Sequence, residues 1–174
     1  MNQRPLLFLD FDDVICLNNP YGGYDAKIFA KVDPPKDFWE KLFDKNAKEI
    51  LISILGEFNP KVVITTSWLR FMDRASFVTL FKKSGLEKVA ESLHEQWEAP
   101  QLHQWNRFDA IDRWIQKFYE GESFVILDDK ESGNKLRGSK FDKDGQLILC
   151  DLDVGLTQQH LEIIKLSLTE QSKK

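Results

Sequence analysis

The sequence has little of several features that define other classes of protein. Its 174 residues include two cysteines, Cys16 and Cys150, and both follow apolar runs, which favours buried thiols over a disulfide framework. No apolar run is long enough to cross a membrane. His94 and His103 are too sparse to form a metal site, and we expect both on the surface. We find no internal repeat and no low-complexity segment, which argues against repeat and fibrous architectures.

An excess of basic residues is also absent. The formal net charge is −4 at pH 7, which argues against indiscriminate nucleic-acid binding, although a local basic patch is compatible with that total. The proportions of hydrophobic and charged residues, 42% and 30%, indicate a globular chain. This length predicts one domain over 1–174 with a polar tail at about 169–174. The few polar residues before the first apolar run leave no room for a signal peptide, so we expect a cytoplasmic protein.

Short apolar runs are present, and three of them end in residue types that bind phosphate or metal. The run Leu6–Leu9 is typical of a strand buried on both faces, and carboxylates at 10–13 follow it. The run 62–66 is rich in β-branched residues and ends in hydroxyls. The run 124–127 ends at the pair Asp128-Asp129. Because carboxyl ends of parallel strands share one edge of a sheet, we expect these residues to converge there.

Apolar residues at helical spacing separate the strands, and this alternation predicts an α/β fold with a mainly parallel sheet. Asn46 is a candidate cap for the second helix, and Thr157 for the last. A short strand near 88–93 is an open alternative in a segment that otherwise has the pattern of a loop. We predict helices at 38–43, 46–58, 73–83, 108–118 and 157–168, and a further strand at 147–150.

These motifs resemble those of the haloacid dehalogenase (HAD) superfamily of phosphohydrolases. The first motif of that superfamily, Asp-x-Asp-x-Thr/Val, matches residues 10–14, and the second, a strand ending in Thr or Ser, matches 62–66. The fourth, a strand ending in paired acids, matches 124–129. The third, a Lys or Arg that opens a helix, is best met by Arg107. The resemblance implies a three-layer Rossmannoid fold. We expect minimal or no cap, because two predicted helices account for most of the chain between Asp12 and Val62.

More narrowly, the chain resembles the HAD domain of Swiss-Army-knife RNA repair proteins. The segments that carry this likeness are Thr66-Ser67-Trp68, the helix of Arg107, 127–129 and 155–157. There are two departures from the superfamily pattern. Asp13 stands where many members have Gly, and Arg107 replaces the commoner Lys, which keeps the charge without its point-like geometry.

The resemblance implies a phosphatase that forms an aspartyl-phosphate. Asp10 would be the nucleophile, and Asp12 the general acid and then the general base. Thr66, or alternatively Ser67, would donate to a phosphate oxygen, and Arg107 would complete a positive clamp. Thr66 is also a common strand-end residue, and Arg107 has the position of an ordinary surface residue at a helix start, so both readings stay open.

The same resemblance implies a Mg²⁺ cofactor. Its ligands would be the carboxylates of Asp10 and Asp129 and the backbone carbonyl of Asp12, since Mg²⁺ prefers hard oxygen ligands. Asp128 would not bind the metal itself but would contact the residues that do.

The expected partner is a phosphorylated substrate, for which a nucleotide or oligonucleotide end is one candidate; no membrane partner is expected, and protein partners are not predicted. Lys130 and Arg137 follow the third motif strand and are candidates for substrate contacts, or else part of a solvated loop. Trp97 and Trp105 are candidates for packing beneath loops or for stacking on a base.

Two other functions use similar residues. One is a HAD fold without catalysis that serves as a binding module. The other is a receiver-type signalling domain, which also places acids, a Thr and a basic residue around Mg²⁺. Receivers place their Thr after the phosphorylated Asp strand, whereas here the Thr-ended strand precedes the Asp-Asp strand, which disfavours that class.

Overall fold

The computed structural model describes residues 3–102 and 104–173, so the prediction for His103 lies outside the described residues. Its five strands pair in parallel in the order β3-β2-β1-β4-β5, which places β1 at the centre. The predicted parallel α/β sheet is thus confirmed. The strands are β1 (Leu6–Leu9), β2 (Lys61–Ile64), β3 (Leu93–Glu98), β4 (Phe124–Asp129) and β5 (Leu147–Cys150).

Helices cover both faces of the sheet. Successive residues of a strand point to opposite sides, so a strand that is apolar throughout, such as β1, buries side chains on both faces. Leu7 and Leu9 join one core cluster, and Leu6 and Phe8 join the other. The result is the predicted three-layer arrangement. The helices are α1 (Gly23–Phe29), α2 (Phe38–Lys41), α3 (Lys45–Phe58), α4 (Arg74–Lys83), α5 (Glu87–Glu91), α6 (Arg107–Phe118), α7 (Lys140–Lys143) and α8 (Gln158–Gln171).

The segment between β1 and β2 holds three helices of 7, 4 and 14 residues and no cap domain. Within the described ranges, no helix is both long and apolar enough to span a membrane.

Three local predictions need correction or extension. The alternative of a short strand near 88–93 is wrong, because α5 occupies Glu87–Glu91. The alternative of a loop is wrong where β3 (Leu93–Glu98) lies. A short apolar run fits a helix or a strand equally well. Asp44 caps α3 instead of Asn46, and its carboxylate accepts from the backbone N–H of Ala47 at 2.9 Å. The last helix continues to Gln171, so part of the predicted polar tail is helical.

Phe11 anchors the end of β1 in the core. It is 0% exposed, and its ring meets four other aromatic rings edge-on at centroid distances of 5.1 to 5.7 Å. Because Phe11 lies between Asp10 and Asp12, burying its ring fixes the backbone that carries both carboxylates. The rings around it are those of Phe43, Trp68, Phe77 and Phe81.

We predict that Phe11→Ala lowers the free energy of unfolding by about 3 to 5 kcal/mol, the usual cost of truncating a fully buried aromatic residue. The control Leu166→Ala, at a side chain that is 63% exposed, should change it by less than about 0.5 kcal/mol. Urea denaturation measures both, and equal effects would contradict the assigned role of Phe11.

Candidate active site

The strand order places the ends of β1 and β4 at a topological switch point. The chain runs from β1 outward to β2 and β3, and then returns to β4 on the other side of β1. Leu9 pairs with Leu127, so Asp10, just after β1, lies level with Asp128, near the end of β4. In open α/β sheets, ligands bind in the crevice beyond the strands at such a point.

Three buried carboxylates meet in this crevice. Asp10, Asp128 and Asp129 each place an oxygen within 4.8 Å of the others, and their exposures are 1%, 0% and 2%. Oδ2 of Asp10 and Oδ2 of Asp129 have no side-chain hydrogen-bond partner among the described residues, and Oδ1 of Asp10 forms an ion pair with Arg107. Buried polar atoms are normally partnered, so these free hard oxygens fit a divalent cation such as Mg²⁺.

Arg107 lies against the same cluster. It is 2% exposed, with Nη2 at 3.2 Å from Oδ1 of Asp10 and Nε at 2.8 Å from Oδ2 of Asp128. It opens α6, whose start is fixed by the side chain of Asn106, an acceptor for the backbone N–H of Asp109 at 3.0 Å. The reading of Arg107 as a surface residue is therefore wrong.

Burial is the main cause of the pKa shifts in this cluster, and the neighbouring charges add to it or oppose it. Burial raises the pKa of Asp10 to about 6, although Arg107 acts in the opposite direction. Burial also raises the pKa of Asp128 well above its usual range, and the carboxylate of Asp10 adds to this. Burial lowers the pKa of Arg107, but the carboxylates of Asp10 and Asp128 outweigh it and raise that pKa overall. One charged guanidinium thus faces three acids.

Asp12 lies apart from the three clustered carboxylates and is held at both oxygens. Asn18 Nδ2 donates to Oδ1 at 3.2 Å, and Trp68 Nε1 donates to Oδ2 at 3.0 Å. Burial raises the pKa of Asp12, while the hydrogen bonds from Trp68 and Asn18 lower it. Sequence reasoning missed both donors; the only signal was the position of Trp68 directly after Thr66-Ser67.

The turn after β1 explains why Asp13 replaces Gly. Its φ is 56°, in the left-handed region that favours Gly and tolerates Asp. Its Oδ1 accepts from the backbone N–H of Asp153 at 2.7 Å, which ties the turn to the loop after β5. In that loop, a Cβ at Gly155 would lie 2.8 Å from the carbonyl oxygen of Val14, so this close approach needs glycine.

The hydroxyls of Thr66 and Ser67, just after β2, both remain candidates for hydrogen-bond donation to a phosphate oxygen. Thr66 is 1% exposed, and its Oγ1 accepts from the backbone N–H of Trp68 at 3.4 Å, which caps the 3₁₀ turn Ser67–Arg70. The hydroxyl hydrogen of Thr66 remains available for donation. Ser67 is half-buried beside it.

The other predicted substrate contacts are occupied or peripheral. Lys130 pairs with Asp151 on the surface. Arg137 is exposed and makes no ion pair within the described ranges.

The two tryptophans proposed for stacking also have neighbours. Trp97 packs on Phe77 at a centroid distance of 5.7 Å, as predicted by the packing alternative. The guanidinium of Arg113 covers a face of Trp105 at 3.9 Å.

A parallel Rossmannoid sheet with Asp10, Asp128 and Asp129 at its switch point defines a HAD-type domain. The family model described as the HAD domain in Swiss Army Knife RNA repair proteins matches residues 6–161. The chain therefore belongs to that family, and the resemblance inferred from its motifs is confirmed. No curated protein and no solved structure gives a significant match to the chain.

We predict that Asp10→Asn stabilises the metal-free protein at pH 7.5, by on the order of 1 to 3 kcal/mol. The folded-state pKa of Asp10, about 6, lies above its ordinary 3.8, so the wild type loses stability as pH rises through about 6. The gain should therefore shrink as pH falls toward 4. Denaturation in EDTA measures this gain, with the exposed Asp33→Asn as control. No gain at pH 7.5 would contradict the cost assigned to the buried, charged carboxylate of Asp10.

Millimolar Mg²⁺ in place of EDTA should raise the melting temperature of the wild type, because a ligand that binds only the folded state stabilises it. Asp129→Asn should reduce that increase, since it removes a free carboxylate from the cluster. Thermal denaturation measures both, and equal increases would argue against a cation at this position.

Proposed function

We propose that the protein is a Mg²⁺-dependent phosphatase that forms an aspartyl-phosphate on Asp10. The observation that carries this proposal is the buried carboxylate of Asp10, which forms an ion pair with Arg107 and has an oxygen within 4.8 Å of oxygens of Asp128 and Asp129. Asp10, Asp129 and the backbone carbonyl of Asp12 would hold Mg²⁺, which supplies positive charge that lets the anionic phosphate approach an anionic nucleophile. Asp128 is paired with Arg107 and would orient it.

The proposed reaction has two steps. In the first, a carboxylate oxygen of Asp10 attacks phosphorus, the bond to the leaving oxygen breaks, and Asp12 gives that oxygen its proton. In the second, Asp12 takes a proton from water, which attacks phosphorus and frees Asp10 and inorganic phosphate. Arg107 and the hydroxyl of Thr66 or Ser67 offset negative charge on the phosphoryl oxygens.

Asp10→Asn should abolish turnover of an aryl phosphate, because it removes the nucleophile. Asp12→Asn should lower the rate on an alkyl phosphate by roughly 10²- to 10⁴-fold, the usual contribution of a general acid–base. Asp13→Asn is a matched control, because Asn tolerates a positive φ and keeps an acceptor for Asp153. Steady-state assays with Mg²⁺ measure all three; substantial activity in purified Asp10→Asn would refute the nucleophile.

We further propose that the substrate is the phosphorylated end of an oligonucleotide. The family description names RNA repair proteins, and the absence of a cap domain leaves room for a large substrate. A surface formed by Tyr24, Lys27 and Phe71, the strand-binding surface, supports this.

The strand-binding surface combines exposed aromatic rings with a cation. Tyr24 is 78% exposed and Phe71 is 36% exposed, and Phe71 stacks on Trp68 at a centroid distance of 6.2 Å. Lys27 Nζ lies 5.8 Å from the Phe71 ring centre, and Tyr24 and Lys27, three residues apart, share a face of α1. Aromatic rings that stack on bases, with cations that contact phosphates, are typical of single-strand binding.

We predict that Tyr24→Ala lowers kcat/KM on a phosphorylated oligonucleotide by roughly 10-fold, through lost base stacking, and leaves an aryl phosphate unaffected. Lys27→Ala should reduce the slope of the logarithm of the oligonucleotide binding constant against the logarithm of salt concentration by about 1, because one phosphate contact is lost. Lys88→Ala, on α5 near the amino end of β3, is the control. Equal effects on both substrates would remove the oligonucleotide from the proposal.

A further inference from the structure

Asp12 is held by donors that are themselves rigid. Trp68, whose indole N–H donates to Oδ2 of Asp12, is 1% exposed. Its ring meets Phe11 edge-on at 5.1 Å and stacks on Phe43 at 6.2 Å. Because these rings pack on its faces and edge, the indole has one available orientation, and that orientation directs its N–H at Asp12.

Two consecutive glycines make room for the two donors. A Cβ on Gly23 would lie 2.5 Å from Nε1 of Trp68, and a Cβ on Gly22 would lie 1.9 Å from Oδ1 of Asn18. Both distances are far below van der Waals contact, so any side chain at either position would displace a donor to Asp12. The start of α1 thus depends on glycine where it faces these two side chains, and neither glycine has a positive φ that would otherwise require it.

We propose that Trp68 is a positioning residue which, together with Asn18, orients the carboxyl of Asp12 for proton transfer to the leaving oxygen. This inference rests on the proposed phosphatase function. Tying both oxygens of Asp12 prevents the carboxyl group from rotating about its Cβ–Cγ bond.

The same hydrogen bonds assist the transfer itself. As the bond from phosphorus to the leaving oxygen breaks, its electron pair stays on that oxygen, which takes the proton from the carboxyl of Asp12. Asp12 is left as a carboxylate, the form that N–H donors from Trp68 and Asn18 stabilise.

The dependence of rate on the leaving group tests this role. A p-nitrophenolate leaves readily without a proton, whereas an alkoxide needs one, so a misplaced acid slows alkyl phosphates selectively. The value of kcat/KM depends only on the steps up to and including the first irreversible one. The ratio of the kcat/KM values for two substrates, measured on one preparation, does not depend on the fraction of the protein that is folded.

The experiment compares Trp68→Phe with the wild type on benzyl phosphate and p-nitrophenyl phosphate. We expect kcat/KM to fall by about 10-fold or more on benzyl phosphate and by less than about 3-fold on p-nitrophenyl phosphate, in the direction of Asp12→Asn. Trp114→Phe is the matched control: this tryptophan is also buried, and its Nε1 donates to the carbonyl oxygen of Gln96 at 2.8 Å, on the opposite face of the sheet. In Trp114→Phe, the ratio of kcat/KM on benzyl phosphate to kcat/KM on p-nitrophenyl phosphate should equal that of the wild type.

A second pair of variants leaves Asp12 and its donors chemically intact. Gly23→Ala should displace the indole and reproduce the selective loss on benzyl phosphate. Gly56→Ala, in α3 with open space around its would-be Cβ, should leave the ratio unchanged.

Equal losses on the two substrates in Trp68→Phe and Gly23→Ala, or no loss at all, would overturn the positioning role and leave the phosphatase intact. A wild-type protein that hydrolyses neither ester with Mg²⁺ would overturn the proposed function, and this inference with it.

Discussion

One buried guanidinium among three buried carboxylates is the interaction on which the rest of the site depends. Arg107 lies 3.2 Å from Asp10 and 2.8 Å from Asp128, and Asp129 completes the group. Removing one partner from a buried ion pair is costly, because the other charge is left without compensation. One positive charge does not neutralise three carboxylates, so the cluster favours a bound cation, and burial raises the pKa of Asp10 and of Asp128. The proposed Mg²⁺ would offset this excess of negative charge.

The fold maintains this arrangement through contacts outside the cluster. Pairing of β1 with β4 brings Asp10 level with Asp128, and the capped start of α6 delivers Arg107 between them. The buried ring of Phe11 fixes the backbone on either side of it. Asp12 is thereby presented to donors from another part of the chain, apart from the clustered acids. The proposed nucleophile Asp10 and the proposed general acid Asp12 are two residues apart in the chain but have different environments.

Much of this could be predicted from the chain alone, and the remainder has physical reasons. Apolar runs that end in carboxylates or hydroxyls identified β1, β2 and β4 and the residues at their ends, because burial constrains such strands strongly. Strand order, the burial of Arg107 and the bond from Trp68 to Asp12 depend on contacts between distant segments, which local patterns do not encode. The segment around α5 was misread because Val89 and Ala90 form an apolar run too short to distinguish helix from strand.

The central claim is that Asp10 becomes covalently phosphorylated. The most direct measurement is rapid acid quenching of the protein during turnover of an aryl phosphate with Mg²⁺, followed by mass spectrometry of its peptides. We expect a phosphoryl group on the peptide that contains Asp10, absent when EDTA replaces Mg²⁺ and absent in Asp10→Asn. Turnover without any such adduct, accompanied by inversion of configuration at phosphorus, would indicate direct attack by water and contradict the account.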